Sequence, residues 1–191
     1  MTEEGPIISN IKTRRSVRSY TDRPVSDKII ENIIDAGIHA PTGLGLQPWK
    51  FVVIRDKSIM KQISTYCKPR LLEQLEEADI DTAREFKKML KSEGFDIFYN
   101  APVLVIVLGD TKAPTVESDC AMCAQNMMLA AHSMGLGSCW IGTACFVQDN
   151  PEMLQKLMVP ENYKVVAPII FGYGDAIVAA PPRNGPDISW V

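Results

Sequence analysis

Arg14, Arg15, Ser16 and Arg18 bring three guanidinium groups and a hydroxyl together within five residues. A guanidinium is a planar fork of N–H donors that matches phosphate or carboxylate oxygens two at a time, so the cluster could hold a small anion. The plainer alternative is a basic helix end whose side chains cap the last carbonyls, and these residues alone favour it. Cys120-Ala121-Met122-Cys123 is a second candidate, since a Cys-x-x-Cys pair at a helix start can act as a redox couple. Its neighbours are Ala and Met, where cysteine serves as a small buried hydrophobe, and the spacing to Cys139 and Cys145 does not suit zinc. His39 and His132 have no nucleophile motif around them and are expected in the core or at an interface. Gly172-Tyr173-Gly174 lacks the spacing of a dinucleotide fingerprint.

The elements that must position these residues can be read from periodicity. Ser9 caps a short helix through Ile11 that delivers the arginines. Ser26 and Asp27 open a helix with Ile29, Ile30, Ile33, Ile34 and Ile38 on one face. It runs into Pro41-Thr42-Gly43-Leu44-Gly45-Leu46-Gln47-Pro48, a loop in which Pro fixes φ and Gly opens positive φ. A strand follows from Lys50 to Ile54, and Asp56 starts a helix with Ile59 and Ile63 inward. Residues 69–93 alternate charged with apolar residues at helical spacing and read as a solvated helical excursion. Val103 to Leu108 is uninterrupted apolar, the pattern of a strand covered on both faces. Ser118 to Met134 reads as a buried helix stopped by Gly135. A short strand from Ser138 to Ile141, a helix from Pro151 to Met158 and a strand from Tyr163 to Phe171 complete the pattern. The tail from Gly172, with Pro181, Pro182 and Pro186, is expected to be extended.

A length of 191 residues suits one domain (1–191), and 46% hydrophobic with 23% charged residues is ordinary for a globular chain. The net charge of −3 argues against nucleic acid as a partner. No apolar stretch has the length of a membrane span, and Met1 to Asn10 does not read as a signal peptide. Five cysteines at irregular spacings fit reduced thiols, so a cytoplasmic location is expected.

Several landmarks occur in an order that resembles the nitroreductase-like flavoprotein family. That family carries an Arg-Arg-Ser-x-Arg element near the N-terminus, here Arg14 to Arg18. Further on it carries Pro-Ser-x-x-Asn-x-Gln-Pro-Trp before a strand, here Pro41 to Trp49. Asn100-Ala101-Pro102, Gly135 to Gly142 and Pro181-Pro182-Arg183 also match, so the likeness spans nearly the whole chain. It implies an α+β fold, a mostly antiparallel central sheet surrounded by helices, in an intertwined homodimer with FMN at the interface.

By that resemblance Arg14, Ser16 and Arg183 hold the FMN phosphate, Arg15 lies alongside, and Arg18 sits at the pyrimidine edge of the ring. Pro41, Thr42 and Gln47 reach the flavin of the neighbouring subunit, and backbone N–H groups of Ile141 and Gly142 meet flavin N5 and O4. Two departures stand out. Thr42 replaces the usual Ser and keeps its hydroxyl, whereas Gly45 replaces Asn and loses an amide. The implied activity is ping-pong electron transfer from NADH or NADPH through FMN to an electron-poor small molecule such as a nitroaromatic or quinone. No side chain is assigned as a catalytic acid or base, and no metal is expected. The alternatives are a flavin protein for storage, delivery or sensing, and a thiol redox protein using Cys120 and Cys123.

Overall fold

A computed structural model describes residues 5–76 and 81–191. Met1 to Glu4 of the N-terminal stretch, and Glu77 and Asp79 of the charged segment, lie outside the described residues. Four strands, β1 (Trp49–Ile54), β2 (Val103–Asp110), β3 (Gly137–Trp140) and β4 (Tyr163–Gly172), form one antiparallel sheet in the order β1-β2-β4-β3. Six α-helices accompany them: α1 (Pro6–Thr13), α2 (Asp27–Ile38), α3 (Lys57–Leu75), α4 (Asp81–Lys91), α5 (Val116–Ser133) and α6 (Pro151–Lys156). This is the α+β architecture with an antiparallel sheet that the sequence implied.

The apolar run in β2 has the burial its composition demands. Leu104, Ile106 and Leu108 face one core with Met60, Ile63 and Cys67 of α3 and with Ala144 and Val147. Val103, Val105 and Val107 face a second core with Ile30 and Ile33 of α2 and with Cys120, Cys123, Ala124 and Met127 of α5. Successive side chains on a strand point to opposite faces, so a strand covered on both sides must be apolar at every position. The charged segment does form helix, in the end of α3 and in α4. Leu90 is buried, and Leu71, Leu72, Leu75 and Phe86 pack against the first core.

Local signals set most boundaries. Ser26 Oγ accepts the Ile29 N–H at 3.4 Å, and Asp56 Oδ1 accepts the N–H groups of Ser58 and Ile59 at 2.7 and 3.3 Å. Gly135, at φ +77°, ends α5 with N–H bonds from Gly135 to His132 O and from Leu136 to Ala131 O. That pair of bonds is the Schellman closure, which requires a left-handed residue. α1 differs from expectation: it starts at Pro6 after Gly5, not at Ser9. Pro at the first helical position has no N–H to leave unpaired, so it starts a helix well. Ser9 sits inside, where its carbonyl accepts the Thr13 hydroxyl at 2.7 Å.

The Pro41–Pro48 loop is anchored from below by α5. Asp119, only 1% exposed, accepts the Gly43 N–H at 3.1 Å and the Thr115 hydroxyl at 2.9 Å. Gly43 must be glycine, because an added Cβ would lie 2.2 Å from Thr115 Oγ1. Losing a buried acceptor leaves its donors unpaired, at a cost of about 1–3 kcal/mol. Asp119→Ala should therefore lower unfolding free energy by about that amount in denaturant titration. A loss below about 0.5 kcal/mol would show that the loop does not depend on this carboxylate.

Candidate functional site

The arginine cluster begins where α1 ends. Asn10 Nδ2 donates to Leu129 O at 3.0 Å, and Thr13 Oγ1 lies 2.9 Å from His132 Nε2, so α1 is docked on the C-terminal half of α5. Residues 16 and 17 then lie alongside β3: Ser16 pairs with Ser138 in a parallel bridge, and the Val17 N–H donates to Ser138 O at 3.0 Å. Glycine at 137 permits this approach, since a Cβ there would meet Val17 Cβ at 2.7 Å.

Both readings of the cluster are met in part. Arg15 Nη1 donates to Lys12 O and Arg14 O at 2.7 and 2.8 Å, which is the capping role. Yet Arg14 Nη1, Arg15 Nε and Ser138 Oγ are buried and have no hydrogen-bond partner among the described residues. Buried polar groups are nearly always paired, and an unpaired one costs about 1–3 kcal/mol. An anion placed among the three would supply the acceptors they lack. The charge is felt nearby: burial first, then Arg14 and Arg15, hold His132 below the usual histidine range. Ser138 is the candidate side chain that the sequence did not single out, since a hydroxyl in a short strand has no signature before its partner is known.

Beside the cluster, Arg18, Phe86, Tyr99, Trp140 and Gly142 line a cleft of about 170 Å³. The Arg18 guanidinium carbon stands 6.0 Å from the Tyr99 ring centroid. Tyr99 also packs edge-on against Phe95, with centroids 5.5 Å apart. Tyr99 and Asn100 have φ of 51° and 58°, a left-handed pair without a glycine. Lys57 holds that corner, with its Nζ donating to Asn100 O, Asn100 Oδ1 and Ala101 O at 2.8, 3.2 and 2.7 Å.

One expectation needs correction. The Ile141 N–H is not open to a ligand, because it donates to Pro168 O at 2.8 Å. Pro168 has no N–H to return, so the β3–β4 ladder stops there. The Ile141 carbonyl instead accepts the Ala144 N–H at 2.9 Å and starts a 3-10 helix, Gly142–Asp149. The N–H groups of Gly142 and Thr143, at the first turn of that helix, have no acceptor within it. Of the two residues expected to offer N–H donors, Ile141 is engaged within the sheet, while Gly142, with its neighbour Thr143, lines the cleft.

Not all the candidates come together. Thr42 Oγ1 accepts the Gln47 N–H at 3.4 Å, and Leu44, Gly45 and Gln47 all have positive φ. Asp119 ties this loop to the N-terminal end of α5, whereas Arg14 adjoins its C-terminal end. At about 1.5 Å per residue, Asp119 and His132 are separated along the helix by roughly 20 Å. Arg183 is exposed in the tail and has no bond to Arg14 among the described residues. His39 is exposed and His132 is half-buried, so neither belongs to the core of the chain. Cys120 and Cys123 are buried and unbridged, and burial pushes both thiols up to about 12. Burial that favours the neutral thiol does not suit a thiolate couple at that pair.

The Nitroreductase family model matches residues 11–173, which spans both the arginine cluster and the last strand. The chain belongs to the nitroreductase family. A crystal structure of a nitroreductase with bound FMN from Bacteroides fragilis superposes with a TM-score of 0.79 at 31% identity, covering 98% of this chain and 100% of that one. A Methanothermobacter thermautotrophicus protein, provisionally named an NADH dehydrogenase/NAD(P)H nitroreductase, is 31% identical over 87% of this chain and 76% of its own length. An iodotyrosine deiodinase of Thermotoga neapolitana is 25% identical over 91% of each chain. Nitroreductase relatives thus include proteins named for different reactions, and membership fixes the architecture before it fixes the substrate.

If Arg14 holds His132 down by its charge, Arg14→Gln should move the His132 pKa upward, toward the ordinary histidine value, in an NMR ring-proton titration. An unchanged titration would mean that the guanidinium charge does not reach the ring.

Proposed function

We propose that this chain is an FMN-dependent oxidoreductase that takes electrons from NADH or NADPH and passes them in ping-pong fashion to a small electron-poor acceptor such as a nitroaromatic or quinone. The observation that carries the reading is the group of unpartnered buried donors on Arg14, Arg15 and Ser138. A phosphate supplies several acceptor oxygens and a compensating negative charge, so the residues present fit the phosphate end of FMN. When bound, FMN supplies the hydride and electron-transfer chemistry itself.

The chain's own residues supply position and charge. Arg14, Arg15 and Ser16 hold the anionic end. Arg18 contributes a cation to the adjoining cleft, which favours the more negative, reduced cofactor. Gly142 and Thr143 offer N–H donors at the cleft wall. No side chain is needed for proton transfer.

The separation of the loop from the arginines along α5 supports a homodimer. Pro41, Thr42 and Gln47 are too far from Arg14 to serve one small cofactor within a chain, so a second copy brings its loop to it. Arg183, free in an exposed tail, is placed at the phosphate by the same assembly. Reduced thiols fit a cytoplasmic setting.

The absorbance spectrum of purified protein tests the reading: a flavin band is expected, and it should bleach when NADH or NADPH is mixed in anaerobically. A band that neither donor bleaches would favour storage, delivery or sensing, and a colourless protein that refuses added FMN would remove the proposal. Charge-assisted hydrogen bonds are worth about 1.5–3 kcal/mol, so Arg14→Ala should weaken FMN binding by about ten- to a hundredfold. Arg18→Ala should retain the cofactor and lower its reduction potential, which a redox titration reads.

A further inference from the structure

One depression near the cleft is assigned no role by the reading above. It lies between α3 and residues 91–100, has a volume of about 650 Å³, and carries Lys57, Lys61, Lys68 and Lys91 on its walls. Leu72, Leu90 and the Phe95 ring form an apolar part of the lining. Glu93 and Asp96 also border it, leaving an excess of positive charge, and none of the four lysines is in an ion pair among the described residues. In a chain of net charge −3 this is a local reversal of sign.

The depression shares wall residues with a hollow that in turn borders the cleft. Phe95, Asp96 and Asn100 line both it and a smaller hollow that Arg18 and Tyr99 also line. Arg18 and Tyr99 in turn line the cleft at Gly142. The joint between the two spaces is the left-handed Tyr99–Asn100 pair. Such backbone is costly and persists only where surrounding contacts impose it. Lys57 imposes it with three donated hydrogen bonds, so its ammonium is already committed. Lys68 is partly committed, donating to Ser92 O and Phe95 O at 2.9 and 3.0 Å. Lys61 and Lys91 are exposed and unengaged among the described residues. They leave two exposed cations on the wall of this trough.

We infer that this trough binds the phosphate-bearing adenosine end of the nicotinamide dinucleotide and makes the protein prefer NADPH over NADH. The inference rests on the oxidoreductase reading above. A flexible ammonium is a strongly hydrated point charge suited to a terminal phosphate, and the 2′-phosphate is the group that NADPH has and NADH lacks. The apolar lining provides a surface for the adenine. A cationic trough also raises the arrival rate of a polyanion, in a way that salt screens.

The test compares wild-type holoprotein with Lys61→Gln/Lys91→Gln, a pair of exposed substitutions that leaves the arginine cluster and the cleft untouched. The expected result is a KM for NADPH about tenfold higher with kcat and FMN content unchanged, and a KM for NADH that stays put. Wild-type protein that uses both donors equally, or a variant that loses both alike or neither, would overturn the inference. Calorimetric titration with 2′,5′-ADP gives a readout independent of turnover. Binding by the wild type that the variant lacks supports the trough even if neither dinucleotide is oxidised, an outcome that would count against the oxidoreductase reading alone. Absence of 2′,5′-ADP binding in the wild type overturns it whatever the kinetics.

Discussion

One nitrogen on each of Arg14 and Arg15 and the Ser138 hydroxyl, buried without partners among the described residues, are the constraint around which the N-terminal part of this chain is arranged. Each such group costs free energy, so the surrounding contacts must hold them in place against relaxation toward water. Several do. α1 is docked on α5 through Asn10 and Thr13, the Ser16–Ser138 bridge fixes the next residues to β3, and the Tyr20 hydroxyl donates to Val17 O at 2.7 Å. Gly137 leaves out a Cβ that would lie 2.7 Å from Val17 Cβ. The donors are therefore set before any anion arrives, and little ordering remains to oppose binding.

The sheet serves the same end from the other side. β4 lies between β2 and β3, and a proline inside such a strand is unusual because it breaks the ladder. Here the break falls where β3 must stop, and the chain turns at once into the short helix whose first N–H groups face the cleft. One missing hydrogen therefore places Gly142 and Thr143.

Much of this was legible in the sequence, and the reason is locality. The caps at Ser26 and Asp56, the two-faced strand at Val103 to Leu108 and the stop at Gly135 depend on residues a few positions apart. The arginine cluster read as an anion site only through its company with the other landmarks, because capping and anion binding need the same side chains; in the structure Arg15 caps α1 with Nη1 and keeps Nε unpaired. What stayed hidden depends on distant partners. Nothing near Ile141 announces that its N–H meets Pro168, and Asp119 looks like any acidic residue in a first helical turn until Gly43 arrives above it. His39, which ends an isoleucine-rich helix, was expected in the core or at an interface, and within the chain it is exposed just past the last turn of α2.

The cysteines carry one consequence further. Four of the five are buried in the two cores, and burial raises the pKa of each of those four. Thiol reagents attack the thiolate, so alkylation at these positions must wait for the packing around them to open. Cys67 stands against the 3-10 helix on one face of the sheet, and Cys120 and Cys123 stand against α2 and β2 on the other. The molecule thus holds built-in chemical clocks on both sides, each recording how often its own half breathes.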